Sequence, residues 1–230
     1  MRLYIIRHAE PAYPDDALTA RGHRQARALA KRFSGGSSGI SSGGLDRVYS
    51  SPATRALETA GYTAKRLGLE VEVEPWAREL EEWWTPDAAL GERPAWQVDA
   101  AALRALAPGF DPASWPDSPP FDAPAVRLGF ARLRAEGDGF LARQGYVRDG
   151  LRYRVTAPPG RRVALFCHGG FALTWLADLL AIPLPLLWAG FTLLPAAVTT
   201  VVFEAGADGW AAPRCVALGE TDGAGGAGGG

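Results

Sequence analysis

Two short apolar runs, far apart in the chain, each end in a histidine, and that pairing constrains the fold more than any other feature. Leu3-Tyr4-Ile5-Ile6 leads into Arg7-His8-Ala9-Glu10, and Val163-Ala164-Leu165-Phe166-Cys167 leads into His168-Gly169-Gly170. An unbroken apolar run of this length reads as a strand covered on both faces. Such strands belong to sheets flanked by helices, in which ligands gather beyond the carboxyl ends. Two ends of this kind predict two imidazoles at one edge of one sheet.

The pattern between them agrees. Thr19 is placed to cap a helix reaching about Phe33, with Ala26, Leu29, Ala30 and Phe33 at helical spacing. Asp46 to Ser50 reads as a strand and Pro52 as the first turn of a helix. Ala56, Leu57, Ala60, Ala64 and Leu67 form the buried side of that helix and Gly68 ends it. Glu70 to Glu74 alternates charge with valine, as a half-exposed strand does. Trp83 to about Asp122 is rich in Pro, Trp and Asp and reads as an irregular excursion with one short helix near Asp99 to Leu106. Helices are expected over Arg127 to Gln144 and Phe171 to Ala181, the second with Phe171, Trp175, Leu176 and Leu179 on its apolar face.

The expected fold is therefore α/β: a three-layer sandwich with a mostly parallel central sheet, helices on both faces, and an irregular inserted cap at about 83–125. It spans residues 1–218 as one domain. The Gly/Ala-rich tail 219–230 is too poor in apolar side chains to order, and Ser34 to Gly44 reads as a flexible Gly/Ser-rich loop.

Composition excludes several classes of function. With 24 basic and 25 acidic side chains the net charge is −1, which leaves no electrostatic footprint for nucleic acid or an acidic membrane. Ile182 to Phe203 is uncharged and long enough to span a bilayer, but Pro183, Pro185, Gly190 and Pro195 interrupt it; it reads as a loop, a turn of helix and a buried strand. Cys167 and Cys215 make no disulfide framework, and Met1 enters a strand at once without a signal peptide, so a cytoplasmic location is expected.

The chemistry gathers at the strand ends. Arg7 offers a planar donor suited to phosphate oxygens. Arg55 falls on the first turn of a helix, where free N–H groups also favour an anion. Gly169 and Gly170 let the backbone approach a ligand closely. Together with His8 and His168 these residues describe an anion pocket of two arginines, two imidazoles and two helix N-termini. A zinc site built from His8, His23 and His168 is the competing reading; no short-spaced histidine pair or cysteine cluster supports it, so no metal or other cofactor is expected.

These residues resemble the motifs of the histidine phosphatase superfamily, the phosphoglycerate mutase-like proteins. Arg7-His8-Ala9-Glu10 resembles its first signature, Leu18-Thr19-Ala20-Arg21-Gly22 with Gln25-Ala26 its first helix, and Ser51-Pro52-Ala53-Thr54-Arg55-Ala56 with Thr59-Ala60 the next segment. Arg78-Glu79-Leu80 is similar to the segment carrying its proton donor, and His168-Gly169 to its second histidine. The matches cover about 1–82 and 160–204, in order.

The resemblance implies a histidine acid phosphatase-like phosphomonoester hydrolase with His8 as nucleophile. It implies Arg7, Arg55 and His168 as phosphate ligands and Glu79 as proton donor, with Glu10, Glu81 and Glu82 as alternatives for that last role. Its implied partner is a small phosphorylated substrate or a phosphoprotein. The mutases of the family resemble R-H-G-x-S-x-W-N at the first motif, whereas Pro11-Ala12-Tyr13-Pro14 follows Glu10 here, which favours hydrolysis over phosphoryl transfer. An inactive phosphate-binding relative is the further alternative. Trp76, Trp83, Trp84, Trp96 and Trp115 either pin the insert to the core or line a substrate pocket, with Trp83 and Trp84 nearest the expected acid.

Overall fold

The computed structural model describes residues 1–35, 44–80, 83–85, 93–106, 111, 114–119, 121–158 and 160–221. In chain order its elements are β1 (Arg2–Arg7), β2 (Pro11–Ala12), β3 (Ala17–Leu18), α1 (Ala20–Ser34), β4 (Arg47–Ser50), α2 (Thr54–Leu67), β5 (Val71–Val73), β6 (Trp84–Thr85) and β7 (Arg93–Pro94). There follow α3 (Ala100–Leu106), α4 (Pro124–Arg143), β8 (Tyr146–Asp149), β9 (Arg152–Val155), β10 (Arg162–Cys167), α5 (Gly169–Leu180), α6 (Leu184–Gly190), β11 (Val198–Ala205) and β12 (Trp210–Glu220).

Eight strands form one sheet in the order β5-β4-β10-β1-β11-β12-β9-β8. β5, β4, β10 and β1 run parallel. From β1 outward through β11, β12, β9 and β8 every pairing is antiparallel. The α/β fold is as the sequence implies, but the sheet is mixed rather than mostly parallel, and its parallel half is the half that carries both histidines. The antiparallel extension left a weak sequence signal. β8 and β9 are four residues each, carry several charges, and bury one tyrosine apiece, Tyr146 and Tyr153.

Strand periodicity divides the core between two faces. Leu3 and Ile5 of β1 join Val163, Leu165 and Cys167 of β10 under α4, α5 and α6. Tyr4 and Ile6 point the other way and pack with Ala164, Phe166, α1 and α2. Tyr4 meets Phe33 of α1 edge to face, with centroids 5.2 Å apart. Thr19 caps α1, its hydroxyl accepting from Gly22 N–H at 2.9 Å. Gly68 ends α2 in the left-handed region at φ +68°.

Several expectations shift. Pro52 lies two residues ahead of α2, and α4 begins at Pro124 rather than Arg127. α5 begins at Gly169 and is buried from Gly170 through Leu179, not along one stripe, because it lies under α4 and α6 as well as the sheet. β12 continues through Glu220, past the expected boundary at Leu218. Of the loop expected at Ser34 to Gly44, residues 36–43 lie outside the described residues, as do 222–230 of the tail expected at 219–230. Among the described residues no helix is long and apolar enough to cross a membrane; the uncharged stretch is α6, a turn and β11.

The insert packs by its aromatics. Trp115 is buried against Phe121, Phe130 and Trp188, with centroids 5.0–6.3 Å apart. Trp76 fits among Phe140, Phe171 and Trp175. Trp115 takes the packing role, and Trp76 packs while also lining a cavity. The side chain of Trp84 lies outside the described residues.

Candidate active site

β1 and β10 are neighbours in parallel register, with Arg7 opposite Cys167, so His8 and His168 leave the sheet side by side. Their ring centroids are 5.2 Å apart. Both are buried. Backbone bonds fix His8 at both ends: its N–H donates to Cys167 O at 2.8 Å, and its C=O accepts from Ala196 N–H at 3.1 Å.

The ring partners set the tautomers. His8 Nδ1 lies 2.7 Å from the Ala9 carbonyl, an acceptor only, so Nδ1 carries the proton and Nε2 keeps a free lone pair. Burial lowers the His8 pKa to about 4; the Ala9 carbonyl opposes the shift, and Arg55 and Arg7 add to it. At neutral pH His8 is an uncharged imidazole. His168 Nδ1 accepts from Arg55 NH2 at 3.0 Å, and its Nε2 meets Ser51 Oγ at 2.8 Å. Arginine only donates, so the His168 proton sits on Nε2, toward Ser51. Burial, then Arg55, His8, Arg7 and Arg78, push its pKa down to about 2.

Two guanidiniums flank the imidazoles. Arg7 NH1 donates to Leu193 O and Arg55 NH1 pairs with Asp16. The Nε–H of each is buried without an acceptor. Unsatisfied charged donors beside a free imidazole lone pair match what an incoming phosphate supplies. Gly169 leaves room for the Arg7 side chain, which passes 3.4 Å from where its Cβ would stand.

The motif residues around the first strand hold this geometry. Thr59 Oγ1 accepts from Ala9 N–H at 3.0 Å and donates to Arg55 O at 2.7 Å. Gln25 Oε1 accepts from Glu10 N–H at 2.9 Å. A Cβ at Gly22 would lie 2.2 Å from Glu10 O, so only glycine lets α1 approach this turn.

Glu79 reaches the pocket from the far side. Its carboxylate sits at the start of α5, where Oε1 accepts from Phe171 N–H at 2.8 Å and Oε2 from Gly170 N–H at 3.2 Å. Burial raises its pKa; those N–H groups, that of Leu80, and Arg7 oppose the rise. The segment bearing it is pinned through Trp76, whose Nε1 donates to Glu74 at 2.7 Å, and Glu74 in turn accepts from Arg143 at 2.5 Å. A Cβ at Gly170 would come within 2.8 Å of Glu79 Oε1 and 2.9 Å of the Trp96 ring.

Glu10 is engaged elsewhere: Thr19 Oγ1 donates to it at 2.8 Å and Arg21 pairs with it at 3.3 Å. Glu81 and Glu82 lie outside the described residues. The histidines of the zinc reading do not converge, since His23 Nδ1 meets Tyr62 OH at 3.2 Å on the α1–α2 face. Among the described residues no three His, Cys, Asp or Glu side chains could hold a metal ion together.

Two roles at the site escaped the sequence reading. Ser51, named only as part of a motif, accepts from His168 Nε2–H at 2.8 Å. Asp16 accepts from Thr54 N–H at 2.9 Å and pairs with Arg55. It sits in a polar stretch that reads as loop, 39 residues from its partner, with no local signal of the pairing.

Residues 3–105 match the histidine phosphatase superfamily, branch 1, a span holding Arg7, His8, Arg55 and Glu79. That part of the chain is similar to the superfamily's model. Its fold is shared with solved structures across nearly the whole length. A mycobacterial glucosyl-3-phosphoglycerate phosphatase is 24% identical with a TM-score of 0.60, covering 96% of this chain and 99% of its own. A phosphoserine phosphatase from Entamoeba histolytica, solved as a mutant with phosphoserine, is 21% identical with a TM-score of 0.60, covering 95% and 96%. No curated protein matches the chain. The chain therefore shares its architecture with both proteins, while its second histidine lies beyond the span of the family match.

Proposed function

We propose that the protein is a phosphomonoester hydrolase acting through a phosphohistidine at His8. The observation that carries this is the neutral His8, its Nε2 lone pair free, between two guanidiniums whose Nε–H groups lack acceptors. In the first step His8 Nε2 attacks phosphorus and the P–O bond to the leaving group breaks. Arg7 and Arg55 hold the equatorial oxygens where charge is borne. His168 steadies Arg55 through Nδ1; once Arg55 NH2 turns from the ring to the substrate, the His168 proton can stand on Nδ1, with Ser51 Oγ donating to Nε2, and Nδ1–H then donates to a phosphate oxygen.

Glu79 donates the proton that the leaving oxygen needs. Its raised pKa and its position beside Arg7 suit a general acid. In the second step the Glu79 carboxylate takes a proton from water, the water oxygen attacks phosphorus, and the N–P bond breaks to release phosphate and neutral His8. The charge work falls to arginines, so no metal step is invoked. The two solved neighbours are both named as phosphatases, which supports hydrolysis over phosphoryl transfer.

The test is hydrolysis of p-nitrophenyl phosphate by EDTA-treated wild type and His8→Ala, with a radiolabelled quench to trap phosphoenzyme. Activity in EDTA, an acid-labile base-stable label, and loss of both in the variant are expected. Turnover that persists in His8→Ala, or that disappears with EDTA, overturns the proposal.

A further inference from the structure

The segment that carries Glu79 also forms one wall of a cavity of about 380 Å³, and α4 forms the other. That volume is in the range of small-molecule sites. Trp76, Leu80, Trp83, Leu128 and Leu133 line it with apolar surface. The Trp83 indole packs against α4 at Gly129, where a Cβ would stand 2.4 Å from Nε1.

Two cations complete the lining, Arg78 from the Glu79 segment and Arg132 from α4. Both are exposed, and among the described residues neither has an ion-pair or hydrogen-bond partner. The one acidic residue among the described lining residues is Glu79, and its carboxylate is turned to the N–H groups of α5. Two guanidiniums over apolar walls, unpaired among the described residues, suit an anionic group on a ligand.

Glu79 joins the cavity to the chemistry, since it belongs to both.

We infer that this cavity receives the leaving group and selects one with an apolar, ring-sized body that ends in a carboxylate. The inference rests on the phosphatase reading above for the word "leaving", but the recognition it describes is a binding property.

The test compares esters with matched benzylic or alkyl leaving oxygens: 4-(phosphonooxymethyl)benzoate, benzyl phosphate and 3-phosphoglycerate. For wild type, kcat/KM is expected to be about tenfold higher for the carboxylated benzyl ester than for benzyl phosphate, as two partly exposed Arg–carboxylate contacts allow, and higher than for 3-phosphoglycerate. Arg132→Gln is expected to reduce the first ratio by about threefold and Arg78→Gln, Arg132→Gln together to bring it near one.

The same two benzyl esters are titrated calorimetrically into His8→Ala, which holds them without turnover, and the Kd ratio should follow the same pattern. A wild-type ratio near one, or a ratio that ignores Arg132→Gln, overturns the inference even if hydrolysis through His8 stands. If wild type hydrolyses none of the esters while the Kd ratio holds and collapses in the double variant, the phosphatase reading falls and the binding site remains.

Discussion

α2 and α5 both aim their N-termini at the same pocket, and each has free N–H groups taken by a carboxylate from elsewhere in the chain. At α2 the carboxylate is Asp16, on Thr54 N–H; at α5 it is Glu79, on the N–H groups of Gly170 and Phe171. The helix ends offer the same partial positive charge. The surroundings differ. The Asp16 side chain is 34% exposed and salt-bridged to Arg55. Glu79 is half-buried and, among the described residues, has no ion pair, and burial raises its pKa against the pull of three N–H groups. Desolvation, not the helix end, separates a carboxylate that stands in for an anion from one suited to hold a proton.

The largest effects should come from the His8 imidazole. His8→Ala is expected to lower kcat/KM by about 10³-fold or more while circular dichroism shows an intact fold. Replacing Glu79 tests its side of the comparison directly. Glu79→Gln should cost about 10²- to 10⁴-fold on an alkyl phosphate, and far less on p-nitrophenyl phosphate, whose leaving group needs no proton. Equal losses on both substrates would assign Glu79 a structural duty only.

The pH profile carries the same distinction. His8 must be neutral, so kcat/KM should rise with pH through about 4. Glu79 must be protonated, so activity should fall as pH climbs through its raised pKa. Glu79→Gln should remove the upper limb and leave the lower one.

Folding should respond to the same burial. His8 and His168 have folded pKa values of about 4 and about 2, below the unfolded value near 6.5. A depressed histidine contributes stability above its unfolded pKa and loses it as pH falls. Each should therefore remove about 1.4 kcal/mol per pH unit below about 6.5, down to its own folded pKa. Glu79, being raised, opposes this at lower pH, since its contribution is present in acid and is lost as pH rises. Urea unfolding from pH 7 to pH 5 should show the decline, and His8→Asn should reduce its slope; a flat profile would contradict the buried neutral pair.

Much of this geometry was legible because it is local or strongly periodic. The unbroken runs at Leu3 and Val163 fixed two central strands, and each strand end carries its histidine forward without help from distant parts. Thr19 and Gly68 mark helix ends by their own side chain or lack of one. What stayed hidden depends on distance along the chain. Ser51 meets His168 across 117 residues, and Asp16 meets Arg55 across 39. The burial of α5 on every side is a property of its neighbours rather than of its own spacing. β8 and β9 fell below notice because one buried tyrosine in four residues is no periodic signal.

Asp16 gives the smallest and most discriminating effect. Asp16→Asn removes the charge yet keeps an oxygen that can accept from Thr54 N–H, so α2 retains its outside cap. Asn also tolerates the left-handed backbone at residue 16, where φ is +55°, so no strain is added. If the Asp16 carboxylate occupies donors that phosphate needs, its loss frees Arg55 NH1, which His168 still holds through NH2. Inorganic phosphate should then bind about fivefold more tightly and KM should fall by a similar factor with kcat little changed, the size expected for one partly exposed charge. If Asp16 instead holds Arg55 in place for catalysis, KM should rise and kcat fall together. Asp16→Ala separates the cap from the charge: it should lose about 1 kcal/mol of stability with the missing acceptor while matching Asn in phosphate affinity. Calorimetric titration of phosphate into the two variants, beside their thermal melts, distinguishes a carboxylate that competes with substrate from one that prepares the site for it.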